Sequence, residues 1–314
     1  MVTAASALAL ARSLSACASP PTLAMRPPEN AASQRGDAHR TGSFRGAGGV
    51  ELYEQSWHPR GSTRAVLVVH HGLKDYSDRY GDLARRLTGR GVAVYAYDMR
   101  GHGRSGGMRA SLDSLETAAD DLTTFVNSVR ERERGRPIYL LGHSIGGAIV
   151  TLFATERRAP IAGLIIMSPA LRVDRLPFEV ASTPVAGALL PNFPAVDTPD
   201  AQFSRSPDVV RAMATDPLIY HPVAPARTGA GLVGALGTIW SEVEGFDTPL
   251  LGMHGTDDHI TDPRGTAEFV RRVRARDTTL FLYRGLYHDL LHEPEREQVM
   301  GDIERWILER LPSR

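Results

Sequence analysis

Residues 140–150 read LLGHSIGGAIV: an apolar run, a serine bracketed by Gly142 and Gly146, and a second apolar run. A strand that simply ended here would need no glycines. A helix that simply began here would be weakened by them, because glycine costs helix stability. The pattern instead demands bare backbone on both sides of Ser144, as in a turn so sharp that a side chain two residues away would strike neighbouring backbone. Such a turn joins a β-strand directly to a helix, which commits this part of the chain to an α/β arrangement.

The flanking sequence carries the same alternation. VELYEQSW (residues 50–57) alternates like a strand with one wet face, and AVLVVHHG (65–72) is a continuous apolar run suited to a strand buried on both faces. Further strands are expected at GVAVYAYD (91–98), PIYLLGHS (137–144), IAGLIIMSP (161–169), TPLLGMHG (248–255) and TTLFLYRG (278–285). Helical spacing separates them: Leu83 and Leu87; Leu112, Leu115, Ala119, Leu122 and Val126; a helix after Ile145; one from about Pro263; and a last one through Ile303, Trp306 and Leu311. Alternation of this kind predicts a mostly parallel sheet with helices on both faces. Residues 170–246 interrupt the rhythm with nine prolines and no clear strand, so they read as an insertion between strands. The expected organisation is a leader and linker over 1–40, a core over 41–169 and 247–314, and a cap over 170–246.

Composition bounds the function. Lys plus Arg and Asp plus Glu number 36 each, so bulk charge offers no argument for nucleic-acid binding. The single cysteine, Cys17, precludes an internal disulfide and a cysteine metal site. No apolar stretch approaches the roughly 20 residues needed to span a bilayer. The first 17 residues, MVTAASALALARSLSAC, end in a segment resembling a bacterial lipobox, which would lipidate Cys17 and anchor an exported protein. Against that, no basic residue precedes the apolar run and Arg12 interrupts its end. An Ala/Ser-rich leader on a cytoplasmic chain is the competing expectation. Residues 18–45, rich in Pro, Ala, Ser and Arg, read as a linker that does not pack.

Strand, Gly142-His143-Ser144-Ile145-Gly146 and helix form a G-x-S-x-G nucleophile elbow in the context it requires. A serine hydroxyl is a weak nucleophile until a base takes its proton. The chain order expected with this elbow is serine, acid, histidine. His288, in the loop after the last strand, is the candidate base, whereas His292 falls in the first turn of the next helix and reads as a surface or capping histidine. The acid should follow a strand end near that loop, where HGTDDHI supplies Asp257 and Asp258. Only one of them is needed to orient the imidazole.

Taken together, VVHHGLKDYSDRY, YDMRGHGRSGG, LLGHSIGGA, DPLIYH, HGTDDHI and LYHDLLHEP resemble the α/β-hydrolase family, within it the monoacylglycerol lipase and lysophospholipase-like serine hydrolases, and cover about residues 40–312 in the family's order. The resemblance implies Asp258, not Asp257, as the acid and His288 as the base. It also implies an oxyanion hole built from the backbone N–H groups of Leu73 and Ile145. Two positions depart from the family's habit: Lys74, where relatives often carry a small residue, and Tyr76, where many carry histidine. The implied activity is hydrolysis of monoacyl lipid esters without metal or organic cofactor. An acyltransferase on the same triad and a small-ester esterase are the alternatives; a non-catalytic binding module would need a broken triad.

Three other signals have plainer readings. Gly101–Gly106 matches a dinucleotide fingerprint but is followed by more loop rather than a helix, so it reads as a structural loop. His288 to His292 imitates a zinc motif but lacks its glutamate. The nearly uncharged run PFEVASTPVAGALLPNFP (177–194) is expected to form a lid that accepts a fatty chain or touches a lipid surface.

Overall fold

The computed structural model describes residues 39–156, 160–172 and 183–311; Cys17 and the leader lie outside these, as do residues 177–182 of the uncharged run. Strands β1 (His39–Arg45), β2 (Glu51–Trp57), β3 (Ala65–His70), β4 (Val92–Tyr97), β5 (Ile138–His143), β6 (Gly163–Met167), β9 (Leu250–Gly255) and β10 (Thr278–Tyr283) form one sheet in the order β1-β2-β4-β3-β5-β6-β9-β10. β1 and β2 pair antiparallel, as do β2 and β4; every later pairing is parallel. The helices are α1 (Gly81–Thr88), α2 (Leu115–Arg132), α3 (Ile145–Glu156), α4 (Thr183–Leu189), α5 (Pro207–Thr215), α6 (Ala226–Glu242), α7 (Pro263–Arg272) and α8 (Arg296–Glu309).

The continuous apolar runs are explained by two cores. Successive side chains of a strand point to opposite faces. Val66 and Val68 of β3 accordingly join a cluster with α2, α3 and α6, whereas Leu67 and Val69 join a second one with α1 and α8. Every residue of β3, β4, β5, β6 and β9 is buried, so both faces of these strands are covered and their sequences are mostly apolar. At about 1.5–3 kcal/mol per fully buried large apolar side chain, these strands supply a large share of what holds the site's scaffold in place.

Residues 39–45 do not behave as a non-packing linker. They form β1, an edge strand whose outer side chains are exposed. Its stability comes from backbone pairing with β2 and from Phe44, whose ring stacks on Phe125 at 5.2 Å. A strand with one free edge and few inward residues carries little periodic signal.

Between β6 and β9 the described residues include α4, β7 (Pro194–Val196), α5, β8 (Ala224–Pro225) and α6, with β7 and β8 paired as a short antiparallel ribbon. The last of these, α6, packs on α3 and places Leu232, Ala235, Leu236 and Ile239 in the main core. The sheet's order turns at β3, with β4 on one side and β5 on the other. Such a switch point opens a crevice at the carboxyl ends of the strands. Ser144 follows β5 at that end, and the His71-Gly72-Leu73 loop follows β3 beside it.

Candidate active site

Ser144 has φ of 57°, in the left-handed region that non-glycine residues occupy only at a cost. The surrounding structure enforces it. The Ser144 N–H donates to Met167 O at 3.1 Å, and its own carbonyl accepts from Ala148 N at 3.2 Å and Ala170 N at 2.9 Å. The glycines answer the question raised by the sequence. A Cβ on Gly142 would overlap Val150 and the Gly146 carbonyl, and one on Gly146 would fall on the carbonyl oxygens of His70 and His71. The β3 loop also comes close, since a Cβ on Gly72 would stand 2.8 Å from Ser144 Cβ.

That loop is pinned by His71, whose role has no signature in the sequence. His71 Nδ1 donates to Gly72 O at 2.8 Å while Nε2 accepts from Met99 N at 2.7 Å. Leu73 follows at once. Neither its N–H nor that of Ile145 has a partner among the described residues. For Ile145 the reason is general: the first N–H groups of a helix find no partner inside it. Both residues line the cavity that Ser144 opens into.

The structure brings together Asp258 and His288, the pair that the resemblance implies as acid and base. His288 Nδ1 donates to Asp258 Oδ2 at 2.7 Å, and both side chains are buried. The proton on Nδ1 leaves Nε2 as the basic nitrogen. Nε2 is buried and has no hydrogen-bond partner among the described residues, Ser144 Oγ included. Burial is the strongest influence on His288 and pushes its imidazole below the ordinary 6.5, although Asp258 pulls it back upward. The ring is therefore neutral near pH 7, as a general base must be. Burial likewise opposes ionisation of Asp258, but the charge of His288 and hydrogen bonds from His254 and His288 outweigh it and hold the carboxyl well below its usual range.

Asp257 is exposed, and among the described residues its side chain accepts only from the Thr256 hydroxyl, at 2.9 Å. His292 sits in the short 3-10 turn Leu290–His292, where its Nδ1 faces Asp289 at 2.8 Å. Gly101–Gly106 lies in a loop held by Ser105, whose Oγ donates to Asp98 O and accepts from Tyr53 N. Among the described residues no group of three His, Cys, Asp or Glu side chains is placed to hold a metal.

Four contacts have no signature in the sequence. His254 Nε2 reaches Asp258 Oδ2 at 3.1 Å, and Thr261 Oγ1 donates to the same oxygen at 2.9 Å. His143, the residue before the serine, donates from Nε2 to the His288 carbonyl at 3.2 Å. The other side of His143 faces Asp75, with Nδ1 3.6 Å from the carboxylate. Burial disfavours a charge on His143, yet Asp75 and Asp289 raise its imidazole above the ordinary value.

The cavity at Ser144 is apolar and small, about 50 Å³. Leu73, Ile145 and Ala170 line it from the core, and Val196, Phe203 and Leu232 from the insertion.

The chain resembles known proteins over most of its length. Residues 61–295 match the family described as serine aminopeptidase, S33. A monoacylglycerol lipase of Mycolicibacterium smegmatis is 34% identical over 86% of this chain and 97% of its own length. The human monoglyceride lipase is 32% identical over 84% of this chain and 89% of its own. A crystal structure of the Paleococcus ferrophilus monoacylglycerol lipase superposes with a TM-score of 0.73 at 32% identity, covering 82% of this chain and 99% of that one. With its strand-to-helix serine, its mostly parallel sheet and this match over most of its length, the chain belongs to the serine aminopeptidase S33 family of α/β-hydrolases and is a serine hydrolase.

Proposed function

We propose that the protein hydrolyses monoacyl lipid esters of the monoacylglycerol type through Ser144, His288 and Asp258. The observation that carries this is the buried Asp258–His288 pair, whose Nε2 has no partner among the described residues and whose His288 carbonyl is bonded to His143, the residue before the strained Ser144. His288 Nε2 takes the Ser144 proton as Oγ attacks the ester carbonyl. The carbonyl π pair moves onto oxygen, where the Leu73 and Ile145 N–H groups meet it. Each such donor contributes on the order of 3 kcal/mol to the transition state. Collapse breaks the bond to the alcohol, which leaves with the proton from Nε2. Water then repeats the sequence on the acyl-enzyme. Asp258 holds the tautomer and balances the imidazolium. The names of the relatives support the monoacylglycerol class.

The cavity of about 50 Å³ is far below the size of ordinary ligand pockets, about 300–1,000 Å³. In our reading, residues 183–199 act as a lid that shifts to admit an acyl chain. Val185, Leu189, Leu190 and Phe193 are exposed there by 66, 75, 53 and 46%. Such a patch suits contact with a lipid surface, and an anchor at Cys17 would hold the protein beside one. The tight cavity also favours a second reading, an esterase for small esters.

Hydrolysis of a chain-length series, with monoacylglycerol beside lysophospholipid, separates these. A specificity constant that climbs with chain length supports the lipid reading; a preference for acetyl esters overturns it. Ser144→Ala should abolish all hydrolysis, and a covalent serine probe should label Ser144 alone.

A further inference from the structure

Phe203, Met213 and Ile219, all in the insertion, form a small apolar cluster of their own. Two outside side chains pack into it. One is Tyr76, three residues after Leu73; the other is Ile260, two residues after Asp258. The Tyr76 hydroxyl also donates to Asp216 Oδ2 at 2.6 Å, and the Ile260 N–H donates to Asp258 Oδ1 at 2.7 Å. The third loop of the site is tied to the same segment. Phe203 O accepts from Asp289 N at 2.8 Å, and the Phe203 ring stands edge-on to His288 at 5.5 Å. Just beyond, Arg205 pairs with the buried Glu293 at 2.5 Å.

The neighbouring part of the insertion is held differently. Helix α4 packs on α6, and Pro191 O and Phe193 O accept from Arg227 N and Ala226 N at the start of α6. The insertion therefore has two mechanical parts. One, with exposed apolar side chains, rides on α6. The other touches the oxyanion, acid and base loops at once.

We propose that residues 200–221 are a brace that keeps these three loops in mutual register, and that Tyr76 is the positioning residue through which the brace fixes the Leu73 amide. Lys74 supports the same connection, its Nζ lying 2.9 Å from Asp200 Oδ1. The two departures from family habit, Lys74 and Tyr76, thus have one role: both reach from the oxyanion loop into the insertion. The brace must stay in place while residues 183–199 move. This inference rests on the hydrolase reading, and its test keeps the two apart.

Tyr76→Phe retains the ring and removes only the hydroxyl. On p-nitrophenyl acetate, which needs no lid movement, kcat should fall by about tenfold to a hundredfold, because small misplacements of a catalytic donor carry such costs. KM should stay the same. Asp216→Ala should do likewise, and the double variant should be no worse than either single one. Arg85→Ala, exposed on α1 and outside both the brace and the lid, should leave acetate hydrolysis unchanged. Amide hydrogen exchange in residues 71–80 should be faster in Tyr76→Phe than in the wild type. A Tyr76→Phe enzyme that is impaired only on long-chain esters would place Tyr76 in the lid and overturn the proposal, as would unchanged exchange over 71–80. If the wild type hydrolyses no ester, the hydrolase reading fails by itself, and the exchange result still decides the brace.

Discussion

His254 Nε2 lies 3.1 Å from the same Asp258 oxygen that His288 holds at 2.7 Å. Asp258 thus faces two imidazoles, that of His288 and that of His254, whose Nδ1 lies 2.6 Å from the Thr266 hydroxyl. The second imidazole keeps the carboxylate from rotating away from His288.

Asp258→Asn should lower kcat by orders of magnitude, on the order of 10⁴, because the imidazole loses the partner that fixes its tautomer. Asp257→Asn should change it little, since that side chain is exposed and among the described residues bonds only to Thr256. Steady-state kinetics on one soluble ester checks both. The opposite ranking would reassign the acid.

His254→Phe should be felt first in stability. It takes the His254 partner from the Thr266 hydroxyl and one of three contacts from Asp258 Oδ2, a loss of about 1–3 kcal/mol. Activity should fall much less than in Asp258→Asn, because His288 keeps its own bond to the acid. Urea unfolding and kcat measured on the same preparation separate the two effects.

The acid limb of the kcat/KM profile should have its midpoint below pH 6.5. The base must be neutral to accept the serine proton, and burial lowers the His288 pKa from its ordinary 6.5. Protonation, and loss of activity, therefore comes at lower pH than for a solvated imidazole. A midpoint above 6.5 would show that the pull of Asp258 exceeds the effect of burial.

Arg79 lies between two buried carboxylates, 3.0 Å from Asp75 and in close contact with Asp289. Burial opposes both charges, but His143 and Arg79 hold Asp75, and His292 and Arg79 hold Asp289, far below the ordinary range. Arg79→Met should cost about 3–5 kcal/mol, the penalty for leaving buried charge uncompensated. The sign of the pH dependence follows: depressed carboxylates contribute stability that is present above pH 3.8 and lost as pH falls through their folded-state values. Thermal melts of the wild type should decline toward acid, and the variant should decline less steeply.

Leu189→Asp or Leu190→Asp should flatten the dependence of kcat/KM on acyl length while sparing acetyl esters. Both side chains are more than half exposed, so the change should not unfold the core. Each methylene kept in an apolar channel is worth about 0.8 kcal/mol, and a carboxylate in that path removes the gain. Identical chain-length profiles for wild type and variant would exclude a lid role for this segment.

Much of the site was legible in the sequence because it rests on local sterics and chain order. A serine between Gly142 and Gly146 after an apolar strand specifies a turn whose geometry nothing larger can occupy. His288 stands out as the candidate base from its place in the loop after the last strand, and the choice of Asp258 over Asp257 as candidate acid came from family resemblance and is consistent with the bond to His288. What only the tertiary structure decided lies between residues far apart in the chain. His254 against Asp258, His143 under the His288 carbonyl, Tyr76 on Asp216 and Phe203 beside Asp289 are single side-chain meetings with no periodicity to betray them. The edge strand β1 was hidden for a related reason: its pairing is made by backbone groups, which every residue carries alike. The insertion divides into a part riding on α6 and a part bonded to the catalytic loops because packing, and not composition, determines which neighbour each residue meets.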